Sequence, residues 1–229
     1  MTNRLTTSIE YTFYTRMLRG SLSIERILSS FTKTTIIHFL HPGKTGGTAI
    51  GSALGLQKRP FRSDNIVIFS LGHAFTLKNV KIGEKCFFFI RDPVDRFVSG
   101  FYSRKRKGMP RIYNNWTPWE KEAFEQFRTP NELACALGHS DKIVKGKAVK
   151  AMHSIGHVNT SYWDWFYNES YLLKRKDDIA FIGQVESFNS DFERLKKLLN
   201  LPKSIKLPTK DKETHRNPLS CDKRLTQVA

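Results

Sequence analysis

The segment "TTIIHFLHPGKTGGTAI", residues 34–50, decides how the rest of the chain is read. Its first part, "TTIIHFL" (34–40), is a β-branched apolar run of strand length. Its last part opens "TAIGSALGL" (48–56), whose apolar spacing is helical. Between them lie Lys44, Thr45 and the adjacent Gly46 and Gly47. A strand that runs through a glycine-rich loop into a helix presents unpaired backbone N–H groups and the positive end of a helix dipole, a combination that binds phosphate. Lys44 adds a mobile positive charge. The nucleotide-binding loop of ATPases needs a further glycine ahead of the lysine, and Phe39 and His38 occupy that stretch. Taken alone, "GKTGGT" reads equally well as an ordinary glycine turn.

The same alternation continues along the chain. Strands are expected at "NIVIFS" (65–70), "KCFFFI" (85–90) and "DIAFIG" (178–183); the unbroken apolar run of the second implies burial on both faces, as in parallel sheets. Asp92 followed by Pro93 starts a helix, with the carboxylate as cap and proline at the first helical position. "TPWE" (117–120) and "TPNE" (129–132) have the capping-box form. Helices are expected over 142–158 and 162–174, and in "SFNSDFERLKKLLNLP" (187–202), where Phe188, Phe192, Leu195, Leu198 and Leu199 trace one face. The expected fold class is α/β: a P-loop-like three-layer fold with a central, mostly parallel sheet flanked by helices. A single domain over 1–229 is expected, with a packed helical arm (1–33), a core (34–200) and a basic C-terminal segment (201–229) read as loop.

Hydrophobic residues make up 39% of the 229, enough for a packed globule. The formal charge of +17 attracts polyanions: nucleic acid, anionic lipid, acidic glycan or a nucleotide. No DNA- or RNA-binding signature accompanies the charge, so nucleic acid is not expected. The spacing of Cys86, Cys135 and Cys221 fits neither a disulfide framework nor a metal site, and Cys86 reads as a small apolar strand residue. The N-terminal helix, interrupted by Arg16, Arg19, Glu25 and Arg26, lacks a signal or membrane-spanning run; a cytoplasmic protein is expected, with membrane-surface contact open to the arm.

A second phosphate site is suggested by "FFFIRDPVDRFVSGFY", which sets Arg91 at a strand tip and Ser99 two turns into the helix that follows. The plainer alternative is that Arg91 pairs with Asp92 or Asp95. Two such sites favour a ligand with phosphates at both ends. Both motifs, in this order, resemble the sulfotransferases that use 3′-phosphoadenosine 5′-phosphosulfate (PAPS), in particular the glycan-type branch. There P-K-T-G-G-T/S binds the 5′-phosphosulfate and R-D-P-x-x-R-x-x-S-x-Y the 3′-phosphate. Lys44, Thr45, Gly46, Gly47 and Thr48, with Ala49 after them, stand in the first; Arg91, Asp92, Pro93, Arg96 and Ser99 stand in the second. "FIGQVESFNSDFERL" is similar to the family's closing strand and helix, so the resemblance covers about 36–199. Gly43 replaces the usual proline, and Tyr102 falls one place late and receives no role.

The resemblance implies transfer of a sulfuryl group from PAPS to a hydroxyl acceptor, a saccharide that is possibly acidic, leaving PAP. It makes Lys44 the group that meets charge on the leaving oxygen and requires no metal. His73, in "FSLGHAFTL", follows the second strand, and the Gly72-His73 pair is similar to the Gly-His carrying the proposed base in heparan sulfate 2-O-sulfotransferases. His38, His41, His153 and His157 are weaker candidates; His153 and His157 would share a helix face. "SRKRKGMPR" (103–111) reads either as a receiver of an acidic saccharide or as a solvated charge run. Trp116, Trp119, Trp163 and Trp165 read as sugar-stacking or packing residues. The rivals are an ATP-dependent P-loop kinase or NTPase, a non-catalytic basic polyanion-binding module, and a family member that has lost catalysis.

Overall fold

The structure is a computed structural model, and it describes residues 2–57, 59–214 and 224–226; Cys221 and the rest of 215–223, with 227–229, lie outside them. The chain forms two compact units. The first comprises Met1–Pro42, Ile50–Ile90 and Tyr162–Leu207; the second comprises Gly43–Ala49, Arg91–Ser161 and Pro208–Ala229.

The first unit is built on a five-stranded sheet. In chain order the elements are α1 (Thr2–Phe31), β1 (Thr35–Phe39), α2 (Gly47–Ala53), β2 (Phe61–Ser63), β3 (Ile66–Phe69), β4 (Lys85–Ile90), α3 (Pro93–Lys105), α4 (Pro118–Gln126), α5 (Pro130–Leu137), α6 (Lys142–Ser154), α7 (Trp163–Phe166), α8 (Glu169–Lys174), β5 (Ile179–Gln184), α9 (Phe188–Leu198) and α10 (Asp211–Thr214). The strand order is β2-β3-β1-β4-β5, parallel except for the antiparallel β2–β3 pair at one edge. The fold is α/β, with helices on both faces of the sheet. Successive side chains of a strand point to opposite faces. Thus Ile36, Leu40, Cys86 and Phe88 join Leu18 and Leu22 of α1 and Trp165 and Phe166 of α7, while Ile37, Phe39, Phe87 and Phe89 join Ile50 of α2 and Phe192 and Leu195 of α9.

Polar pins fix α1 to this sheet. Glu84 takes two hydrogen bonds from the Arg26 guanidinium (2.6 and 2.7 Å) and one from His38 Nε2 (2.6 Å), a side chain buried in β1. Burial opposes ionisation of Glu84, but the bonds from His38 and Arg26 outweigh it and hold its pKa at about 2. Arg62 of β2 grips buried Glu25 in the same two-pronged way. Burial pushes the Cys86 thiol up to about 12, so it acts as a small apolar residue.

The second unit has its own core, in which Val98 and Phe101 of α3 meet Phe124 of α4, Leu133 of α5 and Ala148 of α6. A buried Arg104–Glu120 pair (2.6 and 2.8 Å) crosses it. Asp92 caps α3 by accepting from the amides of Val94 and Asp95. Thr117 and Glu120 form the full capping box. At α5 Thr129 accepts from Glu132 N, but the Glu132 carboxylate takes the amide of Arg128 instead of closing the box.

Three expectations need correction. The helix expected over 162–174 is two short ones, because Tyr167 turns left-handed (φ 73°) and Asn168 caps α8. Helix α6 stops at Ser154 and His157 lies beyond it with φ 66°, so His153 and His157 share no helix face. The segment after 200 includes the short α10.

Strands β4 and β5 set up a test of packing. Gly183 pairs with Phe89, and a Cβ there would lie 2.4 Å from the ring of Phe89, which is fully buried among Phe181 and Phe188. Gly183→Ala is expected to lower stability by roughly 1–3 kcal/mol, read as a reduced urea midpoint at unchanged slope.

Candidate active site

Helix α2 has only seven residues, so little helix dipole stands behind the loop that precedes it, and the loop's charge comes from side chains. Lys44 (φ 68°) and Gly46 (φ 78°) are both left-handed. This conformation turns neighbouring amides toward one concavity, and at a lysine it is strained, which points to a functional demand on the loop. Arg96, buried in α3, holds the loop from below. Its Nε donates to Gly43 O (2.9 Å), while its two terminal nitrogens donate to Thr160 O (2.8 Å) and Thr160 Oγ1 (2.9 Å).

The Lys44 amine makes no hydrogen bond or ion pair among the described residues. Burial pulls its pKa down to about 7, and the charges of Arg106 and Arg91 pull the same way. Among the described residues no carboxylate acts to restore it. The charges of two guanidinium groups thus bear on the Lys44 amine. Arg91 directly follows β4 in the chain; Ser99, two turns into α3, is buried, and its hydroxyl makes no hydrogen bond among the described residues. Thr45 and Ala49 are buried, while Gly46 and Thr48 are half-buried. Lys44, Thr45, Gly46, Gly47, Thr48, Ala49, Arg91 and Ser99 all fall within the second unit.

His73 belongs to the first unit. Gly72 takes φ 74°, a conformation glycine adopts without strain, and His73 follows it on the surface. Its Nδ1 lies 2.8 Å from His41 O. A carbonyl can only accept, so Nδ1 carries the proton and Nε2 is the basic nitrogen. The His73 carbonyl is itself held by the buried indole of Trp165 (2.9 Å). The bond to His41 O orients the ring, and the Trp165 indole fixes the backbone that carries it.

A family model described as the sulfotransferase family matches residues 71–227, well over half of the chain. The chain belongs to the sulfotransferase family. A search of curated proteins found no match. The sulfotransferase moves a sulfuryl group to a hydroxyl-bearing acceptor. The matched stretch includes His73, Arg91 and Ser99 and begins after the Lys44 loop, which therefore stands on its own geometry.

The other candidates separate by environment. His38 is consumed by Glu84. Trp165 is buried and Trp116 packs on Phe124 while donating to Arg104 O, so both are packing residues; Trp119 and Trp163 are exposed. Among the described residues no cluster of His, Cys, Asp and Glu could hold a metal, and no helix is long and apolar enough to cross a membrane. Two contributors were missed from sequence. Arg96 stood in the motif, but nothing in the spacing says that its fork reaches back to Gly43. Arg111 donates to Thr48 Oγ1 across 63 residues, a contact with no local signal.

Arg96→Ala should cost roughly 2–4 kcal/mol in chemical denaturation, because it strips the buried Gly43 carbonyl and the half-buried Thr160 of their donor. Lysine at that position should recover less than half of the loss, since one ammonium cannot span Gly43 and Thr160. The Lys44 shift predicts a pH effect as well. The unfolded chain holds a proton at Lys44 up to about pH 10.5 and the folded chain only to about 7. The unfolded state therefore binds more protons in that window, and this contribution to stability rises from pH 7 to 10.5. Denaturant melts of wild type and Lys44→Met over that range should diverge accordingly.

Proposed function

We propose that the enzyme takes its sulfuryl group from PAPS and passes it to a carbohydrate hydroxyl, the whole chain acting as one sulfotransferase domain. The observation that carries this reading is the Lys44 amine, which makes no hydrogen bond or ion pair among the described residues and whose pKa is pulled to about 7 by burial and by the charges of Arg106 and Arg91. A site with this imbalance favours an anion that returns the lysine to its charged form. The residues fit PAPS: the left-handed loop and Lys44 suit its 5′ end, and Arg91 with the Ser99 hydroxyl suits its 3′-phosphate. When bound, PAPS supplies a sulfuryl group on a phosphate leaving group, whose bridging oxygen gains negative charge as the bond breaks.

Lys44 meets that charge in this reading; one preorganised donor of this kind is worth roughly 3–4 kcal/mol of barrier. Arg96 contributes by fixing the loop under Lys44. His73 Nε2 takes the proton of the acceptor hydroxyl, and the bond from Nδ1 to His41 O keeps the ring in the tautomer that permits it. A saccharide is favoured as acceptor because it offers hydroxyls in number, because exposed Trp119 and Trp163 offer faces for sugar rings, and because a charge of +17 suits an acidic polymer.

The test is a thermal-shift comparison of PAP, ADP and ATP at equal concentration, with and without magnesium. PAP at a hundred times its dissociation constant should add about 2.7 kcal/mol without metal; a shift only with ATP and magnesium would overturn the reading in favour of a kinase or NTPase. Transfer of labelled sulfate from PAPS to a panel of polysaccharides completes it. Lys44→Ala should abolish transfer, and Arg91→Ala should chiefly weaken PAP binding. His73→Ala should cut transfer at least about a hundredfold and leave PAP affinity nearly unchanged. Full activity in the His73 variant would remove it as the base.

A further inference from the structure

Arg111 has no part in the chemistry assigned above, yet the chain goes to some length to place it. After α3 the backbone reverses through Lys107 (φ 53°) and Gly108 (φ 81°). Gly108 N donates to Ser103 O (2.9 Å), Asn114 N donates to Lys107 O (2.7 Å), and Arg106 Nε donates to Met109 O (3.1 Å). A Cβ on Gly108 would lie 2.4 Å from the carbonyl oxygen of Ile112, so the turn admits only glycine there. This closed turn delivers Arg111 to the Gly43–Ala49 loop, where Nη1 donates to Thr48 Oγ1 at 3.0 Å.

A surface run of basic residues does not behave in this way. Arg111 is half-buried, and burial alone draws its pKa down. Among the described residues it meets no carboxylate, and its single hydrogen-bond partner is a neutral hydroxyl. A guanidinium has five N–H donors, so most of its capacity is unused. Thr48, accepting from Arg111, must turn its own hydroxyl proton away from the guanidinium, which leaves it a donor toward whatever the loop holds. Partly dehydrating a further cation beside a loop whose lysine has no partner among the described residues costs free energy, unless an anion completes the set.

We propose that Arg111 is an anion-binding residue of the donor site, holding the phosphate or sulfonate group seated in the Gly43–Ala49 loop both directly and through the Thr48 hydroxyl. The inference rests on the reading of the loop as a PAPS site, and two probes separate the fates of the two ideas. The full-length wild type, Arg111→Gln and Arg111→Lys are titrated calorimetrically with PAP and with inorganic pyrophosphate. Losing a hydrogen bond to a charged group should weaken PAP binding by roughly ten- to a hundredfold in Arg111→Gln. Arg111→Lys, which keeps the charge and loses the fork, should fall between. The ligand-free Tm should stay within about 3 °C of wild type, whereas a staple that merely holds the loop shut would lower Tm and spare affinity once folded.

If wild type binds PAP and Arg111→Gln binds it equally well, the inference is overturned and the PAPS reading stands. If wild type binds pyrophosphate but not PAP, and the glutamine variant binds pyrophosphate more weakly, the PAPS reading fails and Arg111 remains an anion ligand. Binding of neither probe by wild type overturns both.

Discussion

A half-buried lysine amine that makes no hydrogen bond or ion pair among the described residues is the constraint on which the reading of the second unit depends. Lys44 sits on a left-handed turn, pushed toward neutrality by burial and by two guanidinium groups. Nothing in the packing rewards that arrangement. Hydrophobic contact could be supplied by an apolar residue, and loop geometry alone asks for glycine. The strain and the repulsion make physical sense together if the loop is built for a ligand that carries the missing negative charge. Catalysis by preorganised charge works in this way, since the cost of assembling the cations is met in folding and not at the moment of reaction.

The same economy of charge runs through the whole chain. A protein with a formal charge of +17 has few carboxylates to spare, and several are buried as internal ties. Glu84 joins Arg26 to His38, Glu25 holds Arg62, Glu120 holds Arg104, and Asp178 holds Arg175. The first three ties set a carboxylate on two prongs of an arginine fork, the geometry that best repays removing both from water, while Asp178 takes only the Nε–H of Arg175. Among the described residues none of these four carboxylates pairs with Lys44 or Arg111.

How much of this was legible in sequence depended on whether the cause was local. β4 matches the expected 85–90, its apolar run starting one residue in at Cys86, and β1 and β3 lie within the expected 34–40 and 65–70, because burial on both faces of a parallel strand writes itself as consecutive hydrophobic residues. Asp92-Pro93 and Thr117 announced their helices through capping groups that act within one turn. β2 was not seen: three residues, "FRS", carry no period, and the strand exists only because β3 offers an antiparallel edge. The break at Tyr167 was hidden for a different reason, since a non-glycine residue in the left-handed region has no sequence signature. The proposed site divides along the same line. Lys44, Arg91 and Ser99 could be read from motifs, whereas Arg96's hold on Gly43 and Arg111's reach to Thr48 are tertiary contacts that spacing does not encode.

The central claim concerns the charge state of one lysine, and NMR can observe it directly. With the lysine side chains isotopically labelled and Lys44 assigned by its loss in Lys44→Met, the amine is titrated from pH 6 to 11, free and saturated with PAP. The account predicts a midpoint at about 7 in the free protein, and a bound midpoint raised toward the ordinary lysine value of about 10.4. An amine that already titrates near 10 without ligand, or one whose midpoint does not move when PAP is present, would contradict it.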